Sequence, residues 1–207
     1  SVDGERLAQA LCEVEPDLAG QAEIIHAFLR AYCLETEGGL CTGAPASPDF
    51  FNLYAGVLLD RPLAKLCAGW GITYTRYTDD CTFSSTEIIG EKKRAVLREV
   101  FSSAGFTLNH RKACVIDLNK GPVVITGIGL TREGRLFLPR PYLRFLRGLI
   151  HRAQTIGDVP PAVVHGHLGA FWATRPKNQP LNQTEQGLVS AYRVYQHSLR
   201  AQPTPAA

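Results

Sequence analysis

Methionine is absent from all 207 residues and the first residue is Ser, where ordinary usage would supply about four methionines. The chain is therefore expected to be a fragment or a processed product, so part of any functional site is expected upstream of Ser1. No uninterrupted apolar run reaches the length of a membrane span, and no basic start followed by an apolar block opens the chain. Those absences argue against a spanning helix and a signal peptide and lead to the expectation of a soluble, cytoplasmic protein. Cysteines stand at 12, 33, 41, 67, 81 and 114, never as Cys-x-x-Cys and never with zinc-type histidine spacing. A structural zinc site is thereby argued against, and the six are read as reduced core thiols. Basic residues are scarce early: residues 1–60 hold ten acids against Arg6 and Arg30, and the remainder holds twenty basic residues against nine acids. A total of +3 conceals this split, which suggests an acidic outward face and a basic surface able to follow a phosphate backbone.

What is present is ordinary globular composition, 45% apolar and 20% charged, which excludes disorder and collagen. Leu18, Ile25, Phe28, Leu29 and Tyr32 recur at helical spacing over 18–34, and a loop with two glycines and a proline follows. A second helix is expected from Pro48 through Leu63 toward Trp70, with a kink or break at Pro62. Residues 72–77 alternate β-branched and aromatic side chains, Thr78-Asp79-Asp80 has turn chemistry, and 81–84 resumes the strand pattern. The pattern predicts a β-hairpin with two carboxylates at its tip. A charged amphipathic helix is expected over 88–104, ended by Gly105, then short strands near 113–117, 122–128 and 135–138. Helices are expected from Pro141, over 161–173 and over 184–199.

An Asp-Asp pair at a turn is weak evidence alone, because aspartate favours turns for local reasons. Two adjacent carboxylates beside a third acid, however, repel by about 4 kcal/mol at 4 Å in an effective dielectric of 20. A divalent cation relieves that repulsion. Hard oxygen ligands suit Mg²⁺, and a pair of such ions can activate a hydroxyl and stabilise a leaving pyrophosphate.

The segment Tyr74-Thr-Arg-Tyr-Thr-Asp-Asp-Cys-Thr-Phe-Ser84 resembles the Tyr-x-Asp-Asp palm hairpin of reverse transcriptases, in the form typical of bacterial retron and group II intron-like enzymes. Gly39 to Leu53 is similar to the family's preceding block, Gly105 to Lys112 to the next, and Val124-Ile-Thr-Gly127 to the one after. Leu138-Pro-Arg-Pro-Tyr-Leu-Arg-Phe-Leu-Arg continues the likeness into the thumb, and beyond about residue 155 it is weak. The resemblance implies an α+β fold: a polymerase palm over 1–138, with a mixed or antiparallel sheet and packed helices, whose N-terminal part and fingers are missing. A helical thumb over 139–200 and a disordered tail over 201–207 would follow.

The resemblance also assigns roles. Asp79 and Asp80 would hold two Mg²⁺ ions, for which Mn²⁺ can substitute, and Lys112 would serve the leaving group as a third catalytic residue. Gly43, Ala44, Pro45, Ser47 and Asn52 would bind nucleotide and template, although Asn52 is as well explained by a helix-to-loop hydrogen bond. Ile125, Thr126 and Gly127 would form the primer grip, and Arg140, Arg144 and Arg147 would follow the nucleic-acid backbone. The implied reaction is RNA-directed DNA synthesis from dNTPs on a primer 3′ hydroxyl, in a retron or related antiviral defence element. The implied partners are an RNA template, a DNA or RNA primer, a structured non-coding RNA, an effector protein and the remaining N-terminal part of the polymerase, with no membrane. Two other readings stay open: untemplated or protein-primed DNA synthesis, and a non-catalytic RNA-binding scaffold. The family's first catalytic aspartate would lie upstream of Ser1, so the fragment alone is expected to be inactive. Thr78 replaces the commoner alanine, with an expected effect on primer-end packing rather than metal binding. His165-Gly-His167 has no acidic or cysteine partner nearby and is not read as a metal pair.

Overall fold

The computed structural model describes residues 2–175 and 178–201, and these fall into two compact units divided between Cys114 and Val115. The division falls ahead of the palm–thumb boundary expected at 138. The tail expected over 201–207 lies outside the described residues except for Ala201, which ends the last helix.

The first unit opens with a helix not expected from the sequence, α1 (Gly4–Val14), capped by Asp3, whose side chain accepts from the Arg6 amide at 2.9 Å. α2 (Ala22–Tyr32) packs beside it, shorter than the stretch 18–34 because Pro16–Leu18 form a separate 3₁₀ turn. Of its periodic residues only Leu29 is fully buried, while Phe28 and Tyr32 are exposed. α3 (Ser47–Ala55) runs through a π-helical turn, Gly56–Asp60, directly into α4 (Arg61–Gly69). Pro62 therefore does not break the helix. A proline ring clashes with the carbonyl four residues back and withholds one amide, and the widened turn just before it accommodates both.

β1 (Thr73–Tyr77) and β2 (Asp80–Ser84) pair antiparallel, and α5 (Glu91–Ser103) follows. The chain leaves α5 by a Schellman turn in which the Phe106 amide donates to the Phe101 carbonyl at 2.9 Å, with Gly105 at φ +80°. Two more carbonyls at that end are answered from distant sequence: Arg6 Nη2 donates to Ser103 at 2.8 Å and the Tyr54 hydroxyl to Ala104 at 3.1 Å. One core gathers Leu7, Leu29 and Tyr54, another Leu59, Leu63, Cys67, Ile72, Leu97 and Phe101, and Phe106 packs against both.

In the second unit β3 (Val123–Ile125), β4 (Ile128–Leu130) and β5 (Leu136–Phe137) form an antiparallel meander. The strand expected over 122–128 is thus a hairpin, turning at Thr126 (φ +46°) and Gly127 (φ +84°), the double positive φ of a type I′ turn. No strand forms over 113–117, which is exposed and irregular. The two small sheets are separate and both antiparallel among the described residues, so no mixed sheet is seen. α6 (Arg140–Thr155) packs on α7 (Pro161–Ala173) and α8 (Gln183–Ala201) around Leu146, Ile150, Val164, Phe171 and Leu188. The reading of the cysteines as core thiols holds fully for Cys67. Cys114 is exposed and the other four are half-buried, all six being free.

Candidate active site

Alternation along β1 puts Tyr74 and Arg76 on one face, two residues apart, and both reach the helix that contains the π turn. Arg76 Nε and Nη2 donate to the Asp60 carboxylate at 2.7–3.1 Å, and the Tyr74 hydroxyl donates to Asp60 Oδ1 at 2.7 Å. Arg76 Nη1 divides its protons between Asn52 Oδ1 at 3.0 Å and the Thr78 carbonyl at 2.9 Å. The guanidinium also lies 5.6 Å from the centre of the Phe51 ring. Hydrogen bonding to Asp60 raises the guanidinium's pKa further. Burial, with Cys81 and Asp60 as neighbours, lifts the Tyr74 phenol well above its ordinary range, so it stays a donor.

The π turn explains how one helix supplies both Asn52 and Asp60. Eight residues of regular α-helix rotate by about 800°, which would leave the two side chains roughly 80° apart around the axis. The wider turn rotates less per residue and brings them round toward the same strand.

Beyond Arg76 the chain turns through Thr78 and Asp79, and Asp80 pairs with Tyr77 as the first residue of β2. Thr78 has φ +50°, a conformation that a β-branched residue rarely adopts. Its hydroxyl donates to the Tyr77 carbonyl at 2.8 Å and also lies 3.1 Å from Asp79 Oδ1. The threonine, expected to bear on primer-end packing, thus touches one of the two carboxylates. Asp79 and Asp80 are both exposed. Among the described residues no three acidic, histidine or cysteine side chains gather to hold a metal ion. His167 instead hydrogen-bonds the Tyr142 hydroxyl through Nδ1 at 2.8 Å.

The other expected site residues are distributed over both units. Gly43, Ala44 and Pro45 lie in the loop into α3, closed by Ser47 at the start of the helix, whose hydroxyl donates to the Cys41 carbonyl at 2.7 Å. Asn52 is committed through its oxygen to Arg76 of β1, a strand partner rather than a loop. Lys112 is exposed in a turn that follows Asn109. Ile125, Thr126 and Gly127 make up the end of β3 and its turn, and Arg140, Arg144 and Arg147 line an exposed stripe of α6 in the second unit. Arg147 Nη2 also donates to the Thr184 carbonyl at 3.2 Å. Sequence reasoning passed over Asp60 and Arg76. Arg76 was visible as part of the strand motif, but nothing local marks Asp60 as its partner sixteen residues away.

No family model matches the chain. The chain is 36% identical over 129 residues to the retron Mx65 reverse transcriptase of Myxococcus xanthus, a match covering 59% of this chain and 28% of that protein. It is 34% identical over 128 residues to the retron Mx162 reverse transcriptase of the same organism, covering 54% of this chain and 26% of that protein. With the retron Ec86 reverse transcriptase of Escherichia coli it shares 31% identity over 136 residues, 64% of this chain and 40% of that protein. Over this stretch the chain is related to bacterial reverse transcriptases. The three relatives named are retron enzymes, and the chain is a homologue of a portion of them, spanning well under half the length of each.

Proposed function

We propose that the chain contributes the catalytic palm hairpin of a retron-type RNA-directed DNA polymerase, which extends a primer 3′ hydroxyl with dNTPs on an RNA template. The observation that carries this reading is the Asp79-Asp80 pair, held exposed at the tip of a short antiparallel hairpin in a homologue of retron reverse transcriptases.

The residues present fit a hard divalent cation. Both side chains offer carboxylate oxygens, both are open to solvent, and Asp80 accepts no hydrogen bond from another described side chain. Mg²⁺, when bound, would supply activation of the attacking hydroxyl and neutralisation of the leaving pyrophosphate. A further carboxylate from outside the described residues would complete the ligand set. In this reading the small side chains at Gly43 and Ala44 leave room for a base pair, and exposed Lys112 meets the triphosphate. The Thr126–Gly127 turn seats the primer end, and Arg140, Arg144 and Arg147 follow the backbone. The structured RNA, the effector protein and the defence role belong to the same proposal.

The test is Mn²⁺ titration of the native protein by electron paramagnetic resonance, beside primer extension on heteropolymeric RNA. Asp79→Asn and Asp80→Asn are each expected to weaken Mn²⁺ binding at least tenfold and to abolish templated extension. Unchanged binding and extension in both variants would remove the metal assignment. Metal-dependent products of the same composition with and without RNA would replace templated by untemplated synthesis.

A further inference from the structure

We propose that Arg76, braced by Asp60 and Asn52, is a positioning residue that sets the conformation of the Asp79-Asp80 turn. Its link to metal binding rests on the function proposed above, whereas its hold on the turn does not.

Three observations carry the inference. Arg76 uses four of its five N–H donors and is only 11% exposed, so its planar fork is fixed by the helix before it meets the turn. The one group it holds in the turn is the carbonyl of Thr78, the residue forced to positive φ. Such a backbone is strained and persists only where its surroundings over-determine it. Among the described residues, Arg76 is the one side chain outside Tyr77–Asp80 that bonds this turn. Finally, Asp60 and Asn52 are both within reach because the helix carries a π turn between them, a feature common at functional sites. A neutral hairpin tip would need no such brace. Two adjacent carboxylates that repel one another do, if both are to be presented together in the absence of a cation.

Lysine at 76 could keep a charge contact with Asp60, but its compact ammonium cannot span Asp60, Asn52 and the Thr78 carbonyl at once. The experiment compares wild type, Arg76→Lys and Asp60→Asn in the native protein. Its readouts are thermal unfolding, amide hydrogen exchange over 77–81, and Mn²⁺ titration. Arg76→Lys is expected to unfold within a few degrees of wild type, yet to exchange the turn amides about tenfold faster and to bind Mn²⁺ about tenfold more weakly, the ratio for one lost charge-assisted hydrogen bond. Asp60→Asn, which leaves the guanidinium one acceptor oxygen and no counter-ion, is expected to shift both in the same direction. In primer extension the Mg²⁺ concentration for half-maximal rate is expected to rise while primer–template affinity stays constant, a separation that general loosening of the fold would not produce. If Asp79→Asn loses Mn²⁺ while both clamp variants exchange and titrate like wild type, the positioning role is overturned and the metal reading stands. If the aspartate variants also titrate like wild type, the metal reading falls and hydrogen exchange alone decides the clamp: faster turn amides uphold it, unchanged ones overturn it.

Discussion

At the scale of single residues, the first unit depends on polar groups that answer helix ends from far along the chain. Tyr54 is fully buried and spends its hydroxyl on the Ala104 carbonyl at the end of α5. Tyr54→Phe keeps the ring between its neighbours but leaves that carbonyl without its donor. The expected cost is about 1–2 kcal/mol, read as a lower urea midpoint at unchanged slope; an unchanged midpoint would show the hydroxyl to be idle. Burial also raises the Tyr54 phenol above its ordinary value of 10.0. The native state therefore holds the proton where the unfolded chain releases it, so this contribution is complete below pH 10 and is lost as pH rises from there through the raised native value. The phenylalanine variant is expected to lose less stability than wild type between pH 9 and pH 11. A second residue-scale expectation concerns thiols. Cys67 is buried with its pKa raised by burial, whereas Cys114 is exposed. Iodoacetamide at pH 8 is expected to label Cys114 well before Cys67, and equal rates by mass spectrometry would contradict the packing around α4.

At the scale of elements, what could be read in the sequence was whatever depends on neighbours in the chain. The hairpin of β1 and β2 and the end of α5 at Gly105 follow from alternation and from a glycine placed to close a helix. The Asp79-Asp80 tip was legible for the same reason. Three things were not. The turn at Thr126 and Gly127 lies inside one apolar β-branched run, and periodicity cannot reveal a two-residue reversal there. Proline at 62 signals trouble in a helix but not its solution, because whether the chain breaks or widens depends on what Asp60 meets. The partners of Arg76 are set by the packing of β1 on α4, a long-range matter. The connection between α7 and α8 is a similar case. Arg175 and Glu185 form an ion pair with both side chains under 10% exposed, and Asn182 and Glu185 cap α8 reciprocally at 2.9 and 3.0 Å. Glu185→Gln leaves Arg175 charged and buried without its counter-ion, at an expected cost of about 3 kcal/mol. Arg175→Met with Glu185→Gln, which keeps the capping oxygen and removes the stranded charge, is expected to recover much of that loss in thermal unfolding, and failure to do so would show that the cost does not lie in the charge.

At the scale of the whole molecule the charge distribution makes its own claim. Residues 130–207 carry ten basic residues against Glu133, Asp158 and Glu185, whereas residues 1–60 are strongly acidic. Arg140 and Arg144 stand exposed along α6 with no ion-pair partner among the described residues, while Arg152 is paired with Asp158. Phosphate binding by unpaired arginines releases condensed counterions, so affinity falls steeply with salt in proportion to the contacts made. Reversal to Glu at both Arg144 and Arg147 is therefore expected to weaken primer–template binding. It is also expected to reduce the slope of log affinity against log salt concentration by about 2, one contact for each arginine. Because Arg147 also holds the Thr184 carbonyl, Arg144→Glu alone separates the electrostatic effect from any loosening of α8, with an expected slope change of about 1. Arg30 is the suitable control, since Arg6 is committed to the end of α5 and its loss would disturb the fold. Binding measured by fluorescence anisotropy from low to high salt decides the matter. A larger effect at Arg30 than at Arg144 would place the nucleic acid against the acidic part of the chain, where the potential opposes it, and would refute the basic stripe of α6 as the backbone contact.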